Sequence, residues 1–286
     1  MIPLILPTAL VDSHWLAHHL DHPDLVILDA SWYMPSAQRD GEHEWQQQRI
    51  ANARFFDFDK RIKDHNSPLP HMLPPPEQFA QQVAALGISN HSVVVIYDSS
   101  GLFSAPRAWW MFKAMGHEQV AVLNGGLPAW IEQGYPIEKA APAEITPGHF
   151  IADRQASWIA DASHVTAALT QADHLVLDAR SKGRFSGQTP DPRPEVRAGH
   201  MPGAYCLPFT ELVNQGHLLP TATLAEKIVP LLNDKQQIIC SCGSGVTAAI
   251  LALAVYLVGH KEIAVYDGSW CEWGGTPSLP VVTDLE

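Results

Sequence analysis

The sequence predicts two α/β domains in tandem, each with a mainly parallel sheet and helices on both faces. Three segments of the first half recur in the second half in the same order, and each contains a short apolar run. The matching pairs are Leu25–Ala30 with Leu175–Arg180, Val93–Asp98 with Gln237–Cys242, and Val120–Trp130 with Ile263–Trp273. Short apolar runs that alternate with helical patterns are typical of buried parallel strands covered by helices.

The spacing of these matches predicts the domain boundaries. The first domain is predicted at residues 1–137 and the second at residues 156–286. Residues 138–155 are rich in Ala, Pro and Gly and have no clear period, so they are predicted to be the linker.

Two local patterns predict further elements of each half. Val246–Val258 is apolar but shorter than the ~20 residues that span a bilayer, so it predicts a buried helix. The turn Gly199–Ala204 reads GHMPGA and corresponds to Gln48–Ala53. Asn52 can adopt the left-handed conformation that Gly203 allows, so both halves are predicted to keep this turn.

Composition excludes several classes of function. The 286 residues are 46% hydrophobic and carry a net charge of −12, which argues against binding to nucleic acid or to anionic membranes. The N-terminal residues MIPLILP have no basic flank and are interrupted by prolines, unlike a signal peptide. Four scattered cysteines do not suggest a disulfide framework. We therefore expect a cytoplasmic protein.

Cys242 is the most informative residue of the chain. It follows an apolar strand and precedes an apolar helix, and the loop between them contains Gly243 and Gly245. Two glycines let such a loop close tightly, so that its backbone N–H groups and the start of the helix can converge on the sulfur. Because this setting stabilises a thiolate, Cys242 is predicted to be a nucleophile.

The remaining cysteines are predicted to be packing residues. Cys240 lies two residues before Cys242 in the strand, but no further Cys or His cluster completes a metal site with it. Cys206 and Cys271 have no distinguishing pattern. In the first half Asp98 stands at the position of Cys242, so that half keeps the scaffold without the thiol.

Five motifs identify the chain as resembling the two-domain rhodanese-type sulfurtransferases. They are CGSGVT at Cys242–Thr247, DARSKGRF at Asp178–Phe185, GHMPGA at Gly199–Ala204, SPLPHMLP at Ser67–Pro74 and SAPRAWW at Ser104–Trp110. The resemblance covers nearly the whole chain. It implies tandem rhodanese-like domains, of which the second is catalytic.

The resemblance implies that Cys242 takes the sulfur of 3-mercaptopyruvate as a persulfide, releases pyruvate, and passes the sulfur to a thiol or cyanide. Thiosulfate:cyanide sulfurtransferase activity is the alternative. Thiosulfate enzymes resemble this loop but carry basic residues after the cysteine, which suits a dianionic donor. Gly243 and Ser244 are neutral here, and this favours mercaptopyruvate.

The resemblance also implies the other residues of the site. Arg184 and Arg193 would hold the carboxylate of the donor, since a guanidinium grips a carboxylate through two hydrogen bonds. Gly243, Gly245, Val246 and Thr247 would bind the reacting group through the loop.

A Ser-His-Asp set would consist of Ser244, His71 and Asp59, with Asp64 as a competing carboxylate. For Arg107 a structural ion pair and a substrate contact stay open.

Two rival functions have weaker support. Phosphatases with this fold need an arginine six positions after the cysteine, where this chain has Ala248. A non-enzymatic sulfur carrier would deliver its persulfide to one protein partner. We expect no metal or organic cofactor, and the expected partners are a small-molecule sulfur donor and a thiol acceptor such as thioredoxin.

Overall fold

The computed structural model describes residues 3–141 and 144–284. The described chain divides into two units. The first consists of the described residues within Met1–His65, Leu73–Gln155 and Gln215–Leu218, and the second of those within Asn66–Met72, Ala156–Asn214 and Leu219–Glu286.

A five-stranded parallel sheet forms the centre of the first unit. The strands of this part of the chain are β1 (Leu10–Val11), β2 (Leu25–Asp29), β3 (Arg49–Ile50), β4 (Arg54–Phe55), β5 (Val93–Tyr97), β6 (Val120–Leu123) and β7 (Ile137–Glu138). The order in the main sheet is β1-β6-β5-β2-β4. Strands β3 and β7 form a separate antiparallel pair. All five residues of β5 are buried, as expected for a central strand of such a sheet.

Five helices accompany this sheet. They are α1 (Ser13–His19), α2 (Gly41–Gln47), α3 (Pro76–Ala85), α4 (Ala105–Ala114) and α5 (Gly126–Glu132). The side chain of Asp12 accepts a hydrogen bond from the backbone of Trp15 and caps α1. Every residue of α4 is buried, so this helix forms part of the core.

The second unit repeats the same architecture. The strands of the second half of the chain are β8 (Ile159–Ala160), β9 (His174–Asp178), β10 (Tyr205–Cys206), β11 (Val213–Asn214), β12 (His217–Leu218), β13 (Gln237–Ser241) and β14 (Ile263–Tyr266). Given from the same edge as the first sheet, the main sheet has the order β8-β14-β13-β9-β10, and all of its strand pairs are parallel. Each strand therefore has a counterpart at the same position in the first sheet.

The helices of the second half also match those of the first. They are α6 (Ala162–Ala168), α7 (Lys182–Ser186), α8 (Thr221–Leu232), α9 (Ala248–Leu257) and α10 (Ser269–Gly275). Helix α9 is the buried helix predicted from its apolar sequence, with residues 248–255 all buried. Within the described residues, no helix is long and apolar enough to cross a membrane.

Both predictions about the repeat are confirmed. The two sheets have the same strand order, and the matched segments form equivalent strands. Asn52 has φ +63° and Gly203 has φ +84°, so the turn keeps its left-handed residue in both halves. Asparagine tolerates this conformation better than most residues because its short polar side chain bonds locally.

Candidate active site

Cys242 lies directly after β13, at the carboxyl end of the central strand of the second sheet. The residue is 2% exposed. The loop that follows reaches α9 at its N-cap residue, Thr247. Gly245 has φ +79°, a left-handed conformation that glycine adopts without a steric penalty, and this lets the loop turn within a few residues.

Helix α10 anchors this loop through two backbone hydrogen bonds. The N–H of Trp270 donates to the carbonyl of Cys242 at 2.9 Å, and the N–H of Cys271 donates to the carbonyl of Gly243 at 2.9 Å. In a trans peptide the C=O and the N–H point in opposite directions. The N–H groups of Gly243 and Ser244 therefore point away from α10, and successive N–H groups on one side of a loop form a nest for an anion.

Ser269 makes a third connection between α10 and the loop. Its Oγ accepts a hydrogen bond from the N–H of Cys242 at 3.2 Å and donates to the carbonyl of Tyr266 at 2.8 Å. The residue is fully buried and has φ +50°. A non-glycine residue in this region is strained and persists only where its surroundings hold it. The hydroxyl therefore adds to the two backbone hydrogen bonds that hold the backbone beside the thiol.

The equivalent loop of the first unit contains a bound carboxylate, that of Asp98 itself. Its Oδ1 accepts from the N–H of Ser100 at 2.9 Å, and its Oδ2 accepts from the N–H groups of Phe103, Ser104 and Ala105 at 2.8, 2.9 and 2.9 Å. Four amides on one carboxylate show that the loop of the first unit is arranged to hold an anion.

The backbone anchors of the two loops differ by one hydrogen bond. In the first unit the N–H of Leu127 donates to the carbonyl of Asp98 at 3.1 Å, as Trp270 does to Cys242. The next residue is Pro128, at the position of Cys271, and proline has no N–H. The loop that carries the thiol is therefore held by one more backbone bond than its counterpart.

Two arginines of the second unit share one carboxylate. Arg184 lies on α7, whose first turn is capped by Ser181. Its Nη2 forms a hydrogen-bonded ion pair with Oδ2 of Asp191. The Oδ1 of Asp191 lies 3.4 Å from Nη1 of Arg193 and accepts from the N–H of Arg193 at 3.0 Å. The Asp191 side chain is 1% exposed, and those of Arg184 and Arg193 are 22% and 29% exposed.

The guanidinium of Arg184 packs against the loop of Cys242. A Cβ atom built on Gly243 would lie 3.3 Å from Nη2 and 3.6 Å from Nη1 of Arg184, so glycine provides the space for this contact. The Nε of Arg184 is buried and has no hydrogen-bond acceptor among the described residues. A buried donor in this state is costly unless a ligand satisfies it.

The other thiols of the chain are kept protonated by their surroundings. Burial raises the pKa of the Cys271 thiol to about 11, an effect that Arg193 opposes. Burial likewise raises the pKa of Cys206 to about 11, and it raises the pKa of Cys240 further still. Across residues 3–141 and 144–284, no three His, Cys, Asp or Glu side chains are grouped so as to hold a metal ion.

The residues predicted from the sequence fall in two groups. The first group lies in the second unit and comprises Cys242, Gly243, Ser244, Gly245, Val246, Thr247, Arg184, Arg193 and His71. His71 is 3% exposed with φ +62°, and Ser244 is 7% exposed. Asp59 belongs to the first unit, is half-buried, and donates its N–H to Asp57. The Ser244–His71–Asp59 set therefore stays a prediction.

Arg107 also lies in the first unit. It is fully buried, and its guanidinium carbon is 4.4 Å from the ring centre of Trp110. This cation–π contact gives the side chain a packing role within α4.

Sequence reasoning did not identify Ser269 or Asp191. The repeat did contain a signal for Ser269. The equivalent residue of the first half is Gly126, and glycine is the usual residue at positive φ, so a serine at this position is unusual. Asp191 lies two residues before Arg193 in the segment DPRP, so its charge beside the arginines was visible in the sequence, but its burial in the site was not.

Comparison with known proteins places this architecture in a family. The rhodanese-like domain family matches residues 12–133 and 161–276. A 3-mercaptopyruvate sulfurtransferase of Rattus norvegicus is 42% identical over 93% of this chain and 91% of its own length. The mitochondrial thiosulfate/3-mercaptopyruvate sulfurtransferase 1 of Arabidopsis thaliana is 41% identical over 95% of this chain and 77% of its own length.

A solved structure agrees with both sequence comparisons. The crystal structure of SseA from Escherichia coli, described as a 3-mercaptopyruvate sulfotransferase with the rhodanese fold, superposes with a TM-score of 0.82 at 38% identity. The match covers 92% of this chain and 99% of that one. With its duplicated parallel sheets and a thiol in the loop after the central strand of the second sheet, the chain belongs to the family of two-domain rhodanese-like sulfurtransferases.

Proposed function

We propose that this sulfurtransferase takes sulfur from 3-mercaptopyruvate as a persulfide on Cys242 and passes it to a thiol or to cyanide. Relatives at about 40% identity over most of the chain carry the name 3-mercaptopyruvate sulfurtransferase. The single observation that carries the proposal is the position of Arg184, whose guanidinium packs on Gly243 and whose buried Nε has no acceptor among the described residues.

In the first half-reaction the Cys242 thiolate attacks the sulfur of the donor. The bond between that sulfur and the methylene carbon breaks, and its electron pair leaves with the enolate of pyruvate, which then takes up a proton. The N–H groups of Gly243 and Ser244 would stabilise the sulfur anion before and after attack. Gly245, Val246 and Thr247 would complete this loop.

The proton for the enolate needs a donor close to the substrate carbonyl. We propose that the hydroxyl of Ser244, oriented by His71 and in turn by Asp59, relays this proton from the S–H group of the donor, so that the serine loses no proton overall. Arg184 and Arg193 would hold the donor carboxylate and so direct its sulfur at Cys242.

In the second half-reaction an acceptor attacks the outer sulfur of the persulfide and restores the Cys242 thiolate. Cyanide would leave as thiocyanate, and a thiol would leave as a hydropersulfide. A dithiol protein such as thioredoxin would then release sulfide by closing its own disulfide.

The second candidate donor is thiosulfate, because the name of the Arabidopsis thaliana relative includes both donors. The neutral residues Gly243 and Ser244 disfavour it, since a dianion needs cations close to the sulfur.

The test is a comparison of kcat/KM for the two donors, combined with mass spectrometry of the protein after donor treatment. We expect a strong preference for 3-mercaptopyruvate and a mass increase of one sulfur atom that is absent in Cys242→Ser. Cys240→Ser serves as the matched control and should retain the added sulfur. A preference for thiosulfate, or an added sulfur that persists in Cys242→Ser, would contradict the proposal.

We also propose that residues 1–137 and 156–286 are the two domains and that residues 138–155 link them. Limited proteolysis should cut first within 138–155.

We propose further that the protein is cytoplasmic. The four cysteines are free thiols, which suits a reducing compartment. Cell fractionation should recover the protein with cytoplasmic markers. Recovery with an organelle, such as the mitochondrion in which one relative is found, would contradict the location.

A further inference from the structure

Asp191 is the only acidic partner that the described residues give to Arg184 and Arg193. Each oxygen of its carboxylate faces a different guanidinium, and the side chain is 1% exposed. Water therefore screens these charges poorly, and their interactions are stronger than those of a surface ion pair.

The charges of the cluster formed by Arg184, Arg193 and Asp191 do not cancel. Two guanidinium groups and one carboxylate leave one unit of positive charge beside the Cys242 loop. The neighbouring Cys271 adds none near neutral pH, because burial raises the pKa of its thiol to about 11. A donor with a single carboxylate neutralises this cluster, whereas a dianion leaves an excess negative charge in a partly buried site.

We propose that Asp191 is a specificity-determining residue that limits the donor pocket to one net positive charge and so selects a monoanionic sulfur donor over a dianionic one. The inference rests on the proposed function. Asp191 acts through the two arginines, which it orients and partly neutralises, so it is also a positioning residue. Selection by charge requires an element that disfavours the wrong ligand, and the buried carboxylate repels a second negative charge.

The experiment compares Asp191→Asn and Asp191→Glu with the wild type. Asparagine keeps an oxygen for the N–H of Arg193 but raises the net charge of the cluster to two, whereas glutamate keeps the charge. We expect Asp191→Asn to shift the ratio of kcat/KM, thiosulfate over 3-mercaptopyruvate, upward by about tenfold, which corresponds to about 1.4 kcal/mol. Asp191→Glu should retain the wild-type ratio.

Glu211→Gln is the matched control. Glu211 pairs with Lys182 on the surface at 2.9 Å, with side chains 38% and 76% exposed, so its substitution makes the same change of net charge in the same unit. The control should leave the donor ratio unchanged. An equal shift in Glu211→Gln, or a loss of activity in Asp191→Asn that is the same for both donors, would overturn the inference.

A measurement on the wild type decides the question if Asp191→Asn does not fold. Pyruvate and sulfate carry one and two negative charges, and both can be tested as competitive inhibitors of persulfide formation. Pyruvate should bind more tightly than sulfate, and tighter binding of sulfate would contradict the inference. If the wild type forms no persulfide from 3-mercaptopyruvate, the proposed function fails; an unchanged donor ratio in an enzyme that does use it removes only the role of Asp191.

Discussion

The hydroxyl of Ser269 lies 3.2 Å from the backbone nitrogen of Cys242. Ser269 has φ +50°, and Gly126, at the same position of the first unit, has φ +54°. The backbone conformation is thus common to both repeats, although only the second repeat places a side chain there. In the second unit the strained residue carries a hydroxyl, and this hydroxyl accepts a hydrogen bond from the backbone of Cys242.

Replacement of Ser269 separates the strain from the hydrogen bond. Ser269→Ala keeps the strain and leaves the Cys242 N–H unsatisfied, so we expect the unfolding free energy to fall by about 1–3 kcal/mol. Ser269→Gly relieves the strain and should be closer to wild type in stability. Both variants should form the persulfide more slowly in single-turnover mass spectrometry, and a wild-type rate in Ser269→Ala would refute the positioning role.

Addition of one methyl group at Gly243 should weaken donor binding. In Gly243→Ala the new Cβ would lie 3.3 Å from Nη2 of Arg184, so the guanidinium must move. We expect KM for 3-mercaptopyruvate to rise, with little change in thermal stability. Gly275→Ala is the control, because a Cβ there meets nothing within 4 Å. Equal kinetics in both variants would mean that Arg184 does not contact the donor.

Arg184→Lys tests the geometry of the guanidinium rather than its charge. Lysine keeps the positive charge but cannot form two parallel hydrogen bonds to a carboxylate. The loss of one charge-assisted hydrogen bond, worth about 1.5–3 kcal/mol, should lower kcat/KM about 10- to 150-fold. Lys182→Ala removes an exposed cation from the same helix and should have no such effect. Retention of full activity in Arg184→Lys would show that charge alone is sufficient.

Asp29 should make the stability of the first unit depend on pH. It is fully buried, and burial raises its pKa from 3.8 to about 7. Its counterpart Asp178 is instead paired with Arg180 at 2.7 Å, whereas Ser31 stands at the arginine position of the first repeat. Because the folded state binds the proton more tightly than the unfolded state, Asp29 stabilises the fold fully below pH 4, and this stabilisation is lost as pH rises to about 7.

Asp29→Asn should remove this dependence. The amide oxygen can still accept the hydrogen bond from the N–H of Ser31, which lies 2.9 Å away, but the residue no longer ionises. Relative to wild type, the variant should gain stability as pH increases from 4 to 8, by up to about 4 kcal/mol. Urea unfolding at several pH values measures the gain, and a difference between the proteins that is constant across this range would contradict the raised pKa.

The sequence was sufficient to predict the architecture because the strands are continuous apolar runs that recur in order. Runs such as Val93–Tyr97 are buried on both faces, which gives a signal that does not depend on partners far along the chain. The left-handed turn at Asn52 was predictable for a similar reason, since its conformation depends on the residue itself.

The parts of the site that escaped prediction depend on long-range hydrogen bonds. Ser269 contacts Cys242 across 27 residues of sequence, and the role of Trp270 and Cys271 comes from backbone groups that every residue except proline has. Asp191 was missed because its effect depends on its burial between two guanidinium groups, which composition does not indicate. Arg184 was recognisable only through its motif.

The bound carboxylate of Asp98 simplifies a titration of the protein with anions, because it occupies one of the two equivalent loops. This anion is covalently attached to the loop that holds it, so its effective concentration at the four amides exceeds that of any ion in solution. Added sulfate, thiosulfate or pyruvate cannot displace it readily. Despite the duplication of the fold, anions added in solution should therefore not bind at the loop of Asp98.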